Sequence, residues 1–364
     1  MEVPPRCDHR DPRSVCKLHK SIYGYTRAWN EMLNSLLEAQ GFKQGAAEPC
    51  LYSRIKDGHY QYIPVFVDDL LICCKDKKET KEIVGKLNHH IEVKQLGEIS
   101  TYLVIEIERT TDGGFLLSQR HKVMDFVNSL DIKKTDGVGT PLDTAYMSLP
   151  DGEPLDNNKA YREAIGKLLY FSNTTRPDIA AAAEILSRKA NSPDHYDWNA
   201  VTRMAKYLNS TADLKLKISH CKEPQLVGYM DANRHEAKFD RKSTSGFLFF
   251  YGGNLIHWTS KRQDLIAGST AEAEGIAACN ACDTLEWSIG LLKDFGVEES
   301  RPITMYEDNT ACISMIKGES IKDGTRHVAI KIASAKEKFK SGLIDIVYCN
   351  TENMIADVLT KPLN

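Results

Sequence analysis

Four acidic residues of the C-terminal region stand where a mixed sheet presents functional side chains. Asp231 and Asp308 directly follow the apolar stretches "LVGYM" and "ITMYE". Glu274 lies in "STAEAEG" at the start of a predicted long helix, and Asp357 lies in the apolar stretch "MIADVLT". Functional side chains concentrate at strand ends and loops. Converging carboxylates could hold two Mg²⁺ ions about 3.5–4 Å apart, which clamp the attacking and leaving oxygens of a phosphodiester.

Each of these four residues also has an ordinary structural explanation. An Asp at a strand end commonly forms a turn, and a Glu at a helix start commonly serves as a cap. At any single position that explanation is the stronger one. The four together, in this order of elements, favour a metal site.

Two adjacent aspartates, Asp68 and Asp69, interrupt the apolar run "VFVDDLLICC". Burying one unpaired carboxylate is costly, and two neighbours repel each other as well. The pair could form a turn, or open a helix whose free N–H groups favour carboxylates. It could also bind Mg²⁺, a hard cation that offsets the repulsion. The residues alone leave these interpretations open.

Basic residues near the C-terminal strands are candidates for nucleic-acid contact: Arg241, Lys242, Lys261 and Arg262. Such residues bind backbone phosphates, which give affinity without sequence readout. Ordinary surface charge explains each one alone equally well. The formal net charge of the chain is −3, so nucleic-acid binding would depend on a local basic patch.

Length and composition predict a globular protein of two or three domains. The 364 residues exceed twice the length of a domain of about 150. Ten cysteines without a regular spacing predict reduced thiols and an intracellular location, in the cytoplasm or nucleus. No apolar run reaches about 18 residues, and the first residues do not resemble a signal peptide, so we expect no membrane contact.

The order of predicted elements divides the chain into three regions. Residues 1–136 alternate helices with antiparallel hairpins: helices over Thr26–Gln40 and Lys77–His90, strands over Leu51–Ile55 and Tyr60–Ile72, turns at Lys56–Gly58 and Asp112–Gly114. Residues 137–221 begin with a Gly-, Pro-, Asp- and Thr-rich stretch to Asn158, which predicts a linker, and continue with three helices. Residues 222–364 follow the order βββ-α-β-α-α-β-α, typical of a mixed sheet with helices packed on it.

Several long motifs resemble the Pol polyprotein of copia-type LTR retrotransposons. The stretch "STSGFLFFYGGNLIHWTSKRQDLIAGSTAEAEGIA", followed by "YEDNTACISM" and "ADVLTKPL", resembles the ribonuclease H domain of that family. "YREAIGKLLYFSNTTRPDIA" is similar to its connection segment. "KSIYGYTRAWNEMLNSLLEAQGFKQGAAEPCLY" and "VFVDDLLICC" are similar to its reverse transcriptase. The motifs keep the order of the family along nearly the whole chain.

The resemblance implies a mixed α+β and α/β fold. This fold comprises a partial reverse-transcriptase palm with antiparallel hairpins, a helical connection and a ribonuclease H-like mixed sheet. It implies catalytic and metal-binding roles for the four carboxylates named first: Asp231, Glu274, Asp308 and Asp357. Asp68 and Asp69 match the metal-binding Asp pair of the polymerase palm. Mg²⁺, with Mn²⁺ as an alternative, is the implied cofactor. An RNA–DNA hybrid or another nucleic acid is the implied partner.

The sequence also departs from the family pattern. The family's polymerase uses a further metal-binding Asp, on a strand N-terminal to every element predicted here, and the loop after Gly24 is shorter than usual. In the ribonuclease H part, Gly275 replaces a usual Tyr. Ala329 and the run Ile332-Ala333-Ser334 replace a usual "HID…YHF" pattern. We therefore expect an inactive reverse transcriptase region, and ribonuclease H as the activity that survives.

Two functional hypotheses follow. In the first, the chain is a truncated retrotransposon Pol product whose Mg²⁺-dependent ribonuclease H, an endonuclease, cleaves the RNA strand of RNA–DNA hybrids. In the second, it is a non-catalytic remnant, domesticated or degenerate, that binds nucleic acid or a protein. Convergence of the four carboxylates is the feature that separates them.

Overall fold

The computed structural model describes residues 26–130, 132, 137–221, 224–233, 242–318 and 326–362. The chain forms two compact units. The first runs to Gln95 and takes in Trp287–Glu298 as well, and the second comprises Leu96–Glu286 and the chain from Glu299 onward. Compactness does not define domain identity, so the predicted boundaries at residues 136 and 221 stay a prediction.

The first unit contains a four-stranded antiparallel sheet and two helices. Its elements are α1 (Thr26–Glu38), β1 (Lys43–Gln44), β2 (Leu51–Lys56), β3 (His59–Phe66), β4 (Asp69–Leu70) and α2 (Lys77–Asn88). The strands are ordered β1-β2-β3-β4. Apolar residues of α1 recur at helical spacing, as predicted, and Leu33 and Leu37 share a core with Ile63 of β3 and Ile83 of α2.

Two tight turns shape this sheet. Asp57 and Gly58 join β2 to β3 with φ values of 50° and 78°, which confirms the turn that Asp-Gly predicts. Val67 and Asp68 join β3 to β4, so the continuous strand predicted over Tyr60–Ile72 is wrong and the pair of aspartates forms part of a turn. Val67 has a φ of 56°, which strains a β-branched residue. The indole N–H of Trp29 donates to the Val67 carbonyl at 2.6 Å and holds the turn.

The segment Trp287–Glu298 is joined to the first unit by hydrogen bonds. The Asp294 carboxylate accepts the backbone N–H groups of Ala46 and Ala47 at 2.9 Å each, and that of Glu48 at 3.1 Å. The Tyr62 hydroxyl donates to the Phe295 carbonyl at 2.6 Å. A segment nearly 200 residues away in sequence therefore completes this unit.

We predict that Asp294→Ala destabilises the first unit by about 2 kcal/mol, because three backbone N–H groups lose a charged acceptor. Chemical denaturation and hydrogen exchange at Ala46–Glu48 measure the effect. Lys293→Ala, at an exposed neighbouring position, is the matched control and should leave both unchanged. Equal behaviour of the two variants would show that the carboxylate contributes nothing to this unit.

The second unit begins with a small antiparallel sheet and a bundle of helices. Its elements are β5 (Thr101–Tyr102), β6 (Ile105–Arg109), β7 (Phe115–Ser118), α3 (Arg120–Ser129), α4 (Lys159–Thr174), α5 (Ala180–Ser187), α6 (His195–Ser210) and β8 (Leu216–Ile218). The strands are ordered β5-β6-β7-β8. The three helices predicted after residue 158 are present, and α3 lies where no helix is predicted.

The linker predicted over residues 137–158 is instead packed against this bundle. Leu142 and Tyr146 are buried in the core shared by α3, α4 and α6. The Tyr146 hydroxyl donates to Asp197 Oδ1 at 2.6 Å. The Gly- and Pro-rich composition of the stretch concealed these two anchoring side chains, so the prediction of an open linker is wrong.

The rest of the second unit contains a five-stranded mixed sheet. Its elements are β9 (Leu226–Asn233), β10 (Thr244–Tyr251), β11 (Asn254–Arg262), α7 (Thr270–Asp294), β12 (Ile303–Glu307), α8 (Thr310–Lys317), α9 (Arg326–Lys340), β13 (Ile344–Tyr348) and a 3₁₀ helix (Ile355–Leu359). The order is β11-β10-β9-β12-β13, with β9, β12 and β13 parallel to one another. This confirms the predicted mixed sheet. None of the helices in the described ranges has both the length and the apolar character to cross a bilayer.

Gly275 lets α7 approach α9 closely. A Cβ atom at this position would lie 2.8 Å from Ile332 Cγ1, well inside van der Waals contact. Both positions differ from the family pattern described above. The absence of a side chain at residue 275 accommodates the Ile332 side chain.

We predict that Gly275→Ala destabilises the second unit by about 1–3 kcal/mol, because the added methyl overpacks the helix contact. Gly166→Ala is the matched control, since Gly166 lies in α4 with open space around it. The control should be stabilising by about 0.5–1 kcal/mol through helix propensity. Denaturant titration measures both variants, and a Gly275→Ala variant as stable as the parent would contradict the packing argument.

Candidate metal centre

The ends of β9 and β12 create an opening in the mixed sheet. These two parallel strands are paired from Val227 with Thr304 to Tyr229 with Tyr306. Asp231 and Asp308 each come two residues after the last pair. Side chains at the carboxyl ends of adjacent parallel strands face a shared crevice, which is where ligands bind in open α/β sheets.

Three of the predicted carboxylates converge at this opening. One oxygen each from Asp231, Glu274 and Asp308 lie within 4.8 Å of one another, and these three residues are called the acidic cluster below. Asp231 and Glu274 are 5% and 3% exposed, whereas Asp308 is half-buried. The acidic cluster is therefore reached from solvent on the Asp308 side.

Burial makes the charged forms of the inner carboxylates costly. It raises the pKa of Glu274, and the charges of Glu307 and Asp231 raise it further. Burial also raises the pKa of Asp231. The Thr360 hydroxyl, which donates to Asp231 Oδ2, acts in the opposite direction. Such costs fall when a cation takes up the negative charge.

The hydrogen bonds of the acidic cluster leave room for a cation. The Thr351 hydroxyl donates to Asp308 Oδ2 at 2.6 Å. Glu274 Oε2 is buried, and no hydrogen-bond donor within the described residues reaches it. Carboxylate oxygens are the ligands that Mg²⁺ prefers. An unpartnered buried oxygen beside two further carboxylates therefore fits a divalent cation.

The fourth predicted carboxylate, Asp357, lies beside the acidic cluster and outside it. It belongs to the 3₁₀ helix, and its charge contributes to the raised pKa of Asp231. Its Oδ1 forms an ion pair with Lys361 Nζ at 2.8 Å. The structure thus brings three of the four predicted residues together and places the fourth at their edge.

Asp68 and Asp69 form a separate feature in the first unit. Both side chains are exposed at the turn between β3 and β4. Within the described ranges neither belongs to a group of three potential metal ligands. Their role as a metal pair stays a prediction.

Three of the four predicted basic residues lie at one end of the β10–β11 hairpin. Thr244 pairs with Arg262, and Ser245 with Lys261. Lys242 directly precedes β10, and Arg241 lies outside the described residues. Gly246 of β10 pairs with Asp231. The basic end of β11 is thus two strand spacings, roughly 10 Å, from the strand that carries Asp231.

Glu307 is a buried carboxylate that the sequence analysis missed. It is 0% exposed at the end of β12, and burial raises its pKa. A signal was present in the sequence, since Ile303 and Met305 alternate with polar residues on β12 and period-two spacing places Glu307 on the same face.

Residues 1–144 match the family described as reverse transcriptase (RNA-dependent DNA polymerase). The chain is 30% identical to the Retrovirus-related Pol polyprotein from transposon RE2 of Arabidopsis thaliana, over 100% of this chain and 25% of that polyprotein. It is 30% identical to a transposon Ty5-1 protein of Saccharomyces cerevisiae, over 76% of this chain and 92% of that protein. The chain spans about a quarter of the length of the Arabidopsis Pol polyproteins that it matches.

Among solved structures, RNase H1 from the halophilic archaeon Halobacterium salinarum NRC-1 is similar over 37% of this chain and 94% of that one, at 17% identity and a TM-score of 0.28. This superposition is too loose to carry an argument, and the strand order of the mixed sheet is the basis for describing it as ribonuclease H-like. Fold and sequence define a retroelement chain with reverse transcriptase and ribonuclease H-like parts. It belongs to the copia-type retrotransposon Pol polyproteins and corresponds to their C-terminal region.

We predict that Mg²⁺ raises the melting temperature of the protein, because a ligand that binds only the folded state stabilises it by about 2.7 kcal/mol at 100 times Kd. Asp231→Asn should lose most of this increase. Asp69→Asn, which changes an exposed carboxylate outside the acidic cluster, should keep it. Thermal unfolding during a Mg²⁺ titration measures all three proteins, and an equal shift for Asp231→Asn and the parent would place the cation elsewhere.

Proposed function

We propose that the C-terminal part of this chain is a Mg²⁺-dependent ribonuclease H that cleaves the RNA strand of RNA–DNA hybrids. The observation that carries this proposal is the acidic cluster at the ends of β9 and β12, with its buried and unpartnered Glu274 oxygen. Family membership and the ribonuclease H-like strand order support the same reaction. Mn²⁺ has the same preference for oxygen ligands and is the natural substitute.

The roles of the individual residues follow from their positions. Divalent cations bound at such a cluster activate a water molecule and stabilise the charge that develops on the leaving oxygen. Glu274 and Asp231 are the inner ligands, because they are buried and rigidly placed on α7 and β9. Asp308 is the ligand nearest to solvent and faces the incoming phosphodiester. Thr351 and Thr360 hold two of these carboxylates in orientation through their hydroxyl groups.

The nucleic acid lies along the basic end of the β10–β11 hairpin in this proposal. Lys261 is exposed there, and Arg262 and Lys242 are half-buried beside it. Contacts from these residues to backbone phosphates position a hybrid without reading its sequence. A distance of roughly 10 Å between the basic end and the Asp231 strand matches a duplex that spans both.

We further propose that the reverse transcriptase region, residues 1–136, does not synthesise DNA on its own residues. Asp68 and Asp69 are exposed at a turn, and within the described ranges no third carboxylate joins them. Two-metal transfer needs ligands that clamp both reacting oxygens. A helical connection over residues 137–221 and a ribonuclease H domain over 222–364 complete the proposed organisation.

We predict that Asp308→Asn lowers the rate of hybrid cleavage at least about 100-fold, because the amide keeps the shape of the side chain and removes the charge that binds metal. The assay uses a labelled RNA–DNA hybrid with Mg²⁺. Binding of the hybrid, measured by fluorescence anisotropy in Ca²⁺, should be retained.

Asp68→Asn is the matched control for this assay, because it removes an exposed carboxylate that lies outside the acidic cluster. It should cleave as fast as the parent protein. Cleavage by Asp308→Asn at the parental rate would assign the activity to another site. Tight hybrid binding by the parent protein without any cleavage would favour the non-catalytic alternative.

A further inference from the structure

Glu307 is a fully buried carboxylate next to the acidic cluster. It is the last residue of β12 and directly precedes Asp308. Its Oε1 accepts the backbone N–H of Asn309 at 3.0 Å. Its Oε2 is buried, and no donor in the described part of the chain contacts it. A buried glutamate with half of its carboxylate unpartnered is unusual, because each unsatisfied charged group costs free energy.

The unpartnered oxygen of Glu307 has a counterpart on Glu274, whose Oε2 also lacks a donor from the described residues. The two side chains are close enough that the charge of Glu307 is the largest electrostatic influence on Glu274. Buried Cys312 is influenced by both. Two acidic side chains thus meet beneath the acidic cluster, each with an oxygen that the protein does not satisfy.

Hydrogen bonding within the protein does not explain this arrangement. Two neighbouring carboxylates repel each other, and burial strengthens the repulsion. A cation at the acidic cluster would relieve it, since its charge acts on Glu307 through Glu274 and Asp308. Groups that contact metal ligands orient them and tune the affinity of the site.

We propose that Glu307 is a positioning residue that raises the cation affinity of the acidic cluster by adding a fourth buried carboxylate behind Glu274 and Asp308. This inference rests on the proposed cation site. Glu307 lies outside the group of oxygens within 4.8 Å of one another, so it acts through its neighbours. The charge of Asp357 is offset by Lys361, and Glu307 supplies negative charge from the opposite, interior side.

The test is Glu307→Gln, measured by calorimetric titration of the full chain with Mn²⁺ alone. Loss of the charge should weaken Mn²⁺ binding about tenfold. The same variant should unfold at a higher temperature than the parent without cations, because its amide can donate to the Glu274 oxygen and the repulsion is gone. A purely structural role would lower that temperature and leave the Mn²⁺ affinity unchanged.

Glu272→Gln is the matched control, since Glu272 is a buried glutamate one turn or less from Glu274 that accepts the Gly268 N–H and lies outside the acidic cluster. It should keep the parental Mn²⁺ affinity within about twofold, below the tenfold change of an outer-sphere substitution. Glu307→Met, uncharged and of similar length, replaces the glutamine variant if that variant fails to fold.

The outcomes separate the two proposals. Parental Mn²⁺ affinity in both uncharged variants would overturn the role of Glu307 and leave the cation site standing. Absence of Mn²⁺ binding by the parent protein would overturn the cation site and this inference with it. Weakened binding confined to the Glu307 variants supports both.

Discussion

Repulsion among buried carboxylates is the constraint around which the mixed sheet is organised. Asp231, Glu274 and Glu307 lie in surroundings where a charge is poorly solvated, and the fold holds them there through contacts that contain no compensating cationic side chain within the described region. The parallel pairing of β9 with β12 fixes two of the strands that carry them. The close contact at Gly275 fixes the helix that carries Glu274. Such preorganisation stores free energy that a bound cation recovers.

Local chemistry made part of the fold predictable. The Asp57-Gly58 turn requires positive φ at both residues, a conformation that this dipeptide adopts readily. The bounds of α8 follow from Asn309, whose side chain accepts the Cys312 N–H as an N-cap, and from Gly318 after the last turn. The packed course of residues 137–158 was not predictable from composition, because it depends on partners such as Asp197 that lie far away in sequence.

The candidate site divides along the same line. Strand ends and a helix start were sufficient to nominate Asp231, Glu274 and Asp308, because topology brings such positions together. The ion pair that diverts Asp357 could not be predicted, since it depends on the geometry of one 3₁₀ turn. The Asp68-Asp69 turn was ambiguous for a similar reason, because the indole of Trp29, which holds it, belongs to a different element.

The contacts of Asp294 have a consequence for biosynthesis. The first unit lacks its closing segment until the ribosome has passed Glu298, roughly 200 residues after Gln95. At about 5–20 residues per second, this delay lasts roughly 10–40 s. During that interval the backbone N–H groups of residues 46–48 have no carboxylate acceptor from Asp294. The nascent N-terminal sheet is therefore a candidate client for chaperones that hold incomplete domains, and premature termination before Asp294 would leave it permanently unsealed.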